Sequence, residues 1–494
     1  MIGGGLILNL HGRTKIKTAV SEVNSSNIVQ VISNSIDTFE KNRSEIQYLY
    51  EYYKGKQLTY RDKNVRPEIN NIVNENHAYE IVNFKKGYGF SEPIQYVRNG
   101  SITDTSSNID ISESINTLNE YMQSEGKNFV DANIAEWCLI GGVGYRMTLP
   151  KEKIIDGEAP FEMECSDPRK CFVVYNNGFK QKPILGVKVI EKENTDKFSS
   201  GFTKRYCCYT PKEYFEIETN KIVKQEKHNL GYIPIQEYIL NRSRLGAFEL
   251  VIELLDAINN TASNRMDSIE QFVQSFVKFI NCDIDSKQFE ELKELGAIKV
   301  NSANGSGSCD VDIISSELNQ TQTQVFVEHM YNMVLIICGM PDRNGAGGSG
   351  DTGQAVILRD GWGSAEATMK DYETMFKECE NEFLKYILNY LNINDDLKIN
   401  LRDIDVKFSR NRTDNILTKS QSLQTMIATG VSPEIAFNLC GLFSDPESAY
   451  LDSMQYLEEK ANGNTVQEVQ QTTDEVQSEE QSIGNGNTDK VSEM

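Results

Sequence analysis

Apolar side chains recur at helical spacing in three stretches of the N-terminal part of the chain. Residues 74–84 and 115–138 show this spacing over short lengths. In residues 27–53, apolar side chains return every three or four positions, at Ile28, Val31, Ile32, Ile36, Phe39, Ile46, Leu49 and Tyr53. This is the period of an amphipathic helix, and Gly55 follows as a stop signal. Each of the three stretches is therefore predicted to be helical.

Between residues 161 and 235 the pattern changes to short runs rich in aromatic and β-branched residues. The runs lie at residues 171–175, 184–190, 206–209 and 214–217. Turn residues such as Asn176, Asn177 and Gly178 separate them. Short β-rich runs divided by turn residues predict an antiparallel sheet region.

The most regular helical pattern covers residues 245–280. A single helix of that length would span roughly 50 Å. A second helical pattern covers residues 321–338, and between the two lies a mixed insert with a short helix at 288–295 and strands at 297–300 and 311–314. Two helices that flank a compact insert predict an antiparallel stalk with a small module at its tip.

A glycine-rich loop follows the stalk. Gly339 and Pro341 end the second stalk helix, and residues 342–353 contain five glycines in twelve positions. Residues 354–391 then return to a helical pattern. Gly361, Trp362 and Gly363 interrupt it, so a kink is predicted there.

The last part of the chain divides into a strand, a helical cluster and a tail. Residues 397–409 alternate as a strand, and residues 416–460 predict two or three short helices. Residues 461–494 contain no aromatic residue, seven acidic residues and one lysine. Such a segment has little apolar surface to bury, so it is predicted to be disordered.

Composition limits the class of protein. The 494 residues are 25% charged and 9% aromatic, as in globular proteins, and carry a formal net charge of −22. A static nucleic-acid clamp is not expected, because phosphate binding needs clustered Lys and Arg, although DNA could slide past so acidic a chain. The longest apolar run, residues 333–338, is too short to span a membrane, and the start lacks the basic region of a signal peptide. A soluble protein made in the cytoplasm is expected.

Catalytic and metal-binding patterns are missing from the sequence. The ten cysteines form no CxxC pair and the four histidines lie far apart, so we interpret the cysteines as buried free thiols rather than as metal ligands or disulfides. Acidic pairs such as Glu290–Glu291 and Asp395–Asp396 are typical of solvated faces. No GxSxG or HExxH motif occurs. We expect neither enzyme activity nor a cofactor.

Residues 345–350 match the letters GxGxxG. A dinucleotide site needs a strand before this motif and a helix directly after it. Residues 333–338 continue a helical pattern instead, and no Lys-Ser/Thr follows to make a phosphate-binding P-loop. A mobile loop is the favoured interpretation.

Several segments together resemble the portal proteins of long-tailed phages that infect Gram-positive bacteria. Residues 51–57 (EYYKGKQ) are similar to the YYxGxQ helix ending of that family, and residues 70–94 resemble its "N-x-I-V…Y-x-I-V…GY-x-x-G-x-P" stretch, with Ser91 where glycine is common. Residues 228–235 (HNLGYIPI) are similar to its GxVPI segment. Residues 340–342 (MPD) with the glycines resemble the entry to its tunnel loop. The order and spacing of these segments over residues 45–460 carry the resemblance.

This resemblance implies an α+β portal fold and divides the chain into named parts. These are an α/β wing (1–244), a first stem helix (245–282), a small α/β clip (283–320), a second stem helix (321–340), a tunnel loop (341–353), a long kinked wing helix with a returning strand (354–415), a helical crown (416–460) and the acidic tail (461–494).

The resemblance also implies a function and partners. Twelve copies would form a ring-shaped channel at one vertex of the virion head for the packaging, retention and ejection of double-stranded DNA. The implied partners are the terminase large subunit, a head–tail adaptor, and the major capsid and scaffold proteins. Assembly would take place in the host cytoplasm, with no membrane involved.

The resemblance places one loop against the DNA. Its predicted residues are Asp342, Arg343, Asn344, Gly345, Gly347, Gly348, Ser349, Gly350 and Asp351. Arg343 is the only cation, so the loop carries a formal charge of −1, and a ring of acidic patches can repel phosphates and keep the duplex from sticking. Glycine lets such a loop bend with the passing duplex.

Two other classes of protein remain as alternatives. A DNA-packaging or recombination ATPase is disfavoured because no GK[S/T] loop occurs. A non-viral oligomeric scaffold would be separated from a portal by electron microscopy, since only a portal requires an axial hole.

Overall fold

In the computed structural model, strands and helices lie in two compact units, one formed by residues 1–93 and 118–401 and the other by residues 94–117 and 402–494. The structure describes residues 12–57, 61, 63, 67–99, 105–153, 158–193, 202–273, 276–280, 282–283, 287, 301–302, 310–314, 320–342, 361–393, 397, 399–410, 416–443 and 446–461. The predicted α+β class is confirmed.

The helices are numbered here along the described chain. They are α1 (Ile28–Tyr53), α2 (His77–Gly89), α3 (Thr105–Ser124), α4 (Lys127–Gly141), α5 (Ile252–Val273), α6 (Gln320–Cys338), α7 (Trp362–Ile393), α8 (Ile416–Ala428), α9 (Pro433–Cys440) and α10 (Pro446–Ala461). Short 3-10 turns cover Glu249–Val251 and Leu401–Asp403.

The strands are numbered in the same way. They are β1 (Lys17–Thr18), β2 (Gln95–Arg98), β3 (Val143–Pro150), β4 (Phe161–Ser166), β5 (Cys171–Asn176), β6 (Pro183–Glu193), β7 (Phe202–Tyr209), β8 (Glu213–Glu218), β9 (Lys221–Lys227), β10 (Ile235–Ile239), β11 (Phe276–Ile280), β12 (Cys282–Asp283), β13 (Asn301–Ser302), β14 (Asp310–Ile314) and β15 (Ile404–Lys407).

The N-terminal helices confirm two predictions and correct a third. α1 and α2 form where apolar periodicity predicts helices, and the Asn76 side chain accepts a hydrogen bond from the Tyr79 N–H at 3.3 Å as the cap of α2. The stretch 115–138 was predicted to be one helix and is two. Gly126 separates α3 from α4 with a φ of 64°. This left-handed conformation breaks a helix, and glycine adopts it without strain.

The larger sheet has the strand order β1-β5-β6-β7-β8-β9, and α1 packs on it. β1 pairs with β5 in parallel, and the other neighbours are antiparallel. The rings of Phe39 on α1 and Phe172 on β5 stack with centroids 4.5 Å apart. A second sheet, β10-β3-β4, is antiparallel throughout. The predicted antiparallel region is thus confirmed, divided between two sheets.

The predicted helix over residues 245–280 is wrong at both ends. The helix α5 covers Ile252–Val273, about 33 Å at 1.5 Å per residue, and residues 276–280 form β11 instead. β11 pairs antiparallel with β14, Phe276 opposite Ile314. The run Phe-Val-Lys-Phe-Ile is rich in aromatic and β-branched residues, and its apolar positions suit a strand as well as a helix. Pairing with β14 makes residues 276–280 a strand rather than the end of a helix.

The two stalk helices are antiparallel, as predicted. The guanidinium of Arg265, late in α5, donates to Gln324 Oε1, early in α6, at 2.7 Å. The Sγ of Cys338, at the end of α6, donates to the Ala247 carbonyl just before α5 at 3.6 Å. α6 itself confirms the prediction for residues 321–338. In the insert, the predicted strand at 311–314 is confirmed as β14, whereas the predicted helix at 288–295 and strand at 297–300 lie outside the described residues.

The smaller unit pairs β2 with β15 and carries the last helices. Ile404 lies opposite Arg98 in an antiparallel register. The strand predicted over residues 397–409 is shorter than expected, because residues 401–403 form a 3-10 turn before it. The short helices predicted in residues 416–460 are confirmed as α8, α9 and α10. The tail beyond Ala461 lies outside the described residues.

None of the helices in the described ranges combines the length and the apolar character that crossing a membrane requires.

Candidate functional site

The predicted channel loop, residues 341–353, is described only at its start, Pro341 and Asp342. Asp342 ends one described stretch, and the next begins at Gly361. The other predicted loop residues lie outside the described residues: Arg343, Asn344, Gly345, Gly347, Gly348, Ser349, Gly350 and Asp351. The site that the structure defines is therefore the loop root, by which we mean residues 339–342 and 361–363.

The chain enters the loop from a tightly capped helix end. The Gly339 N–H donates to the Ile336 carbonyl at 3.1 Å, and the Met340 N–H donates to the Leu335 carbonyl at 2.8 Å. Gly339 has a φ of 60°. This pair of bonds with a left-handed glycine is a Schellman cap, which satisfies two of the last carbonyls of α6. Pro341 follows and cannot continue the helix.

Gly339 is also pressed against α7. A Cβ at Gly339 would lie 2.2 Å from the Thr368 Oγ1, closer than atoms can approach. The position thus needs glycine for two reasons, its backbone conformation and the close approach of α7. The end of α6 is fixed in direction and in distance from α7.

The next described stretch begins at Gly361, the first of the three residues at which a kink is predicted. Gly361 has a φ of 81°, outside helical geometry, and its carbonyl accepts from the N–H groups of Ser364 and Ala365, each at 3.1 Å. The described helix therefore begins at Trp362, and the kink between it and residues 354–360 stays a prediction. The upstream half of the predicted helix, residues 354–360, lies outside the described residues. A Cβ at Gly361 would lie 3.6 Å from the Pro341 Cα, so the two ends of the loop are neighbours.

α2 holds the returning end. The rings of Phe84 and Tyr88 lie 6.0 Å and 5.8 Å from Trp362, and the Tyr88 hydroxyl donates to Glu366 Oε2 at 2.7 Å. Gly89 lies so close to the buried Met369 of α7 that a Cβ added to the glycine would be 2.3 Å from the Met369 Sδ. Aromatic packing, a hydrogen bond to a carboxylate and close contact therefore attach the start of α7 to α2.

Lys85 of α2 reaches the other end of the loop root. Its side chain is buried, and its Nζ donates to the Cys338 carbonyl at the end of α6 at 2.6 Å. The ammonium also lies 4.9 Å from the ring centroid of Tyr372 on α7. Burial disfavours the charged form and lowers the pKa of Lys85 to about 8.

A cavity of about 480 Å³ opens beside the loop root. Its lining includes Leu250, Ile337, Thr368 and Tyr372. Two large apolar side chains of the lining are exposed, Leu250 at 70% and Ile337 at 50%. The sequence carries no signal for this cavity, because segments distant along the chain form its walls.

A buried ionic cluster, missed by sequence analysis, attaches the middle of α7 to the second sheet. Glu380 accepts from Lys127 at 2.9 Å, from Arg146 at 3.0 Å and from the Tyr238 hydroxyl at 2.7 Å. Asp131 pairs with both Lys127 and Arg146. The two cations and two anions cancel, and every member has partners, so the cluster is suited to holding helix and sheet together.

Metal binding and thiol reactivity both depend on how the titratable side chains of the described residues are grouped and buried. No group of three or more His, Cys, Asp or Glu side chains among them could hold a metal ion. The described cysteines are free and mostly buried, as expected from the sequence. Burial raises the pKa of Cys138 and Cys208 well above the ordinary value, which keeps these thiols protonated and inert.

Comparison with known proteins identifies a family for the chain. The family model "Phage portal protein, SPP1 Gp6-like" matches residues 32–482. No curated protein sequence matches the chain. Portal proteins are non-enzymatic structural proteins; they form oligomeric rings at the virion head vertex, interact with DNA and terminase, and provide the channel for DNA packaging. Because the match covers most of the chain, the chain belongs to the SPP1 Gp6-like family of phage portal proteins, as its sequence predicted.

Proposed function

We propose that twelve copies of this chain form the portal ring, with α5 and α6 as the stem of each subunit. The antiparallel pair of helices, closed by β11 and β14, is the observation that carries this assignment. Because β11 pairs with β14, we place the border between stem and clip at Val273 rather than at residue 282. The wing, crown and tunnel loop keep the bounds expected from the sequence.

The exposed apolar side chains beside the cavity indicate which surface of the subunit contacts its neighbour. Leu250, Ile336 and Ile337 are 70%, 66% and 50% exposed. In a ring, each subunit covers a side of its neighbour, and large apolar side chains gain most from being covered. We assign this surface to the subunit interface.

The clip is proposed to bind the terminase large subunit while the head fills and the head–tail adaptor afterwards. Its position at the far end of the two stem helices supports this role. The wing and crown are assigned to the major capsid and scaffold proteins. Replacement of residues 274–319, the whole segment between α5 and α6, by a short Gly/Ser linker should then abolish packaging while rings still form. Packaging by such rings would contradict the assignment.

The tunnel loop is proposed to contact DNA weakly. The close approach of Gly361 to Pro341 supports this, because the chain leaves the described part of the subunit at Asp342 and re-enters it at Gly361, beside the same point. The formal charge of −1 over residues 341–353 is the reverse of what a phosphate clamp would carry. Asp342, the described member of the predicted set, is half-buried at the start of the loop.

Cryo-electron microscopy of the purified chain tests the ring, with mass photometry to count subunits. We expect rings of twelve with an axial hole. The double variant L250D/I337D should shift the protein towards monomers, because it places charges on the proposed interface. The variant F179D is the matched control, since Phe179 is 90% exposed in the turn between β5 and β6. If the unsubstituted protein stays monomeric at all micromolar concentrations, the proposed ring is contradicted.

A further inference from the structure

Among the described residues, Lys85 is a buried cation that no carboxylate pairs with. In the part of the chain that the structure describes, its partners are the Cys338 carbonyl and the Tyr372 ring, and no carboxylate pairs with it. The side chain is 1% exposed. Burial of a charge is costly unless something compensates it, so a lone buried lysine calls for a specific reason.

The cap of α6 supplies that reason. The Schellman bonds satisfy the carbonyls of Leu335 and Ile336, which leaves the Cys338 carbonyl without a backbone donor from that motif. Partial negative charge accumulates at the C-terminal end of a helix, and a cation there is favourable. The Lys85 ammonium meets both needs, because it donates to this carbonyl and lies at the end of the helix axis.

The contact also joins three helices at one point. Lys85 belongs to α2, Cys338 ends α6, and Tyr372 lies on α7 one turn after Thr368, which touches Gly339. On α2, the rings of Phe84 and Tyr88, on either side of Lys85 in sequence, pack against Trp362 at the other end of the loop root. A single turn of α2 therefore contacts both the exit and the return of the loop.

We propose that Lys85 is a positioning residue of the DNA channel: its ammonium fixes the end of α6 and so sets where the tunnel loop leaves the body of the subunit. The inference rests on the proposed role of the loop. A flexible loop can meet DNA at a defined radius only if its root is rigid, and the bond from Lys85 to Cys338 is the polar tie at the α6 side of this root.

The first test is hydrogen exchange on assembled rings of the unsubstituted chain and of K85M. Methionine is similar in length but has no charge and no donor. Loss of one hydrogen bond to a charged group should raise the opening of the cap about 10- to 100-fold, seen as faster exchange of the Gly339 and Met340 amides. The variant K85R should restore slow exchange, because arginine keeps a charged donor.

The second test measures packaged DNA per assembled ring. K85M should lose packaging while rings form and the melting temperature stays near that of the unsubstituted chain, and K85R should recover packaging. K127M is the matched control, a buried lysine in the ionic cluster away from the loop root. It should lower the melting temperature yet leave both the packaging per ring and the exchange at Gly339 unchanged.

Two results would overturn the proposal. One is K85M packaging at the unsubstituted level with unchanged exchange at Gly339 and Met340. The other is K127M producing the same loss per ring, since the effect would then follow from general instability. If K85M does not fold, K85Q takes its place. Glutamine is shorter and carries no charge, and the same results for exchange and packaging would support or overturn the proposal. Failure of the unsubstituted ring to package DNA would contradict the proposed function instead, and the exchange experiment would still decide the role of Lys85.

Discussion

The carboxylate of Asp267 on α5 accepts two hydrogen bonds from Asn71, one from its backbone N–H at 2.7 Å and one from its side-chain amide at 2.9 Å. Two further backbone donors of the same segment reach α5. The Val73 N–H donates to Ser263 Oγ at 3.0 Å, and the Glu75 N–H donates to Asn259 Oδ1 at 2.8 Å.

The donors of these bonds lie every two residues along residues 71–75, and their acceptors lie every four residues along α5. Two residues of extended chain advance about 6.6 Å, and four residues of helix advance 6 Å, so the spacings nearly agree. Asn259, Ser263 and Asp267 thus form a polar ladder along α5, and residues 71–75 bind to it as a strap. All three ladder residues are buried. The strap fixes one side of the proposed stem helix.

D267N should destabilise the protein by about 3 kcal/mol, because it removes the anion that Arg61 and Lys63 pair with in a nearly buried position. Chemical denaturation measures the free energy of unfolding. E253Q is the control, since Glu253 is exposed on the same helix. A difference between D267N and the unsubstituted protein below about 0.5 kcal/mol, the scale of ordinary surface substitutions, would show that the pairs contribute little.

His77 should make stability depend on pH. Burial opposes its charge, but hydrogen bonds to Glu80 and Glu75 prevail and raise the pKa of His77 above its ordinary value. A raised pKa in the folded state adds stability that is fully present below about pH 6.5 and is lost as pH rises through the folded value. H77Q should therefore be less stable than the unsubstituted protein at pH 6 and similar at pH 8.5. Thermal melts across this range measure the difference, and a constant gap would contradict the assignment.

G339A should destabilise the protein, because alanine meets both an unfavourable φ and the Thr368 side chain. We expect a loss of about 1–3 kcal/mol. G363A is the matched control near the same root. A Cβ at Gly363 meets nothing within 4 Å, so this change should stabilise the helix by about 0.5–1 kcal/mol. Equal effects of the two variants in thermal denaturation would refute the argument from geometry.

Stiffening the loop should impair packaging without affecting ring assembly. Replacement of Gly347, Gly348 and Gly350 by alanine or proline removes backbone freedom that the passing duplex is proposed to need. Packaging in vitro measures the loss, and full packaging by intact rings would make the loop a passive connector. The alternative of a dinucleotide site predicts binding of ATP or NAD by the unsubstituted chain, which isothermal titration would detect.

Helices with a clear apolar face were predictable from the sequence. α1 and α6 form where their patterns indicate, because burial of one stripe decides their structure. Residues 276–280 were not predictable in this way, since their partner β14 lies some thirty residues further along the chain. The division at Gly126 depends on one backbone conformation that periodicity does not report.

The candidate site was predictable only in part. Glycine content identifies the loop, but the loop root depends on contacts between α2, α6 and α7. A lysine in a helix ordinarily indicates the solvent face. Lys85 instead continues the buried face of α2, formed with Ala78, Ile81, Val82 and Tyr88. Its place in that pattern is the signal that could have identified it.

The pairing of β11 with β14 has a consequence for changes of length in the segment between the two strands. It brings the two points where the chain enters and leaves the tip side by side, with Ile280 opposite Asp310. The entropic cost of closing the chain between two such fixed neighbours grows slowly with the number of residues between them. Added or removed residues between β11 and β14 are therefore expected to leave the spacing between the ends of α5 and α6 unchanged.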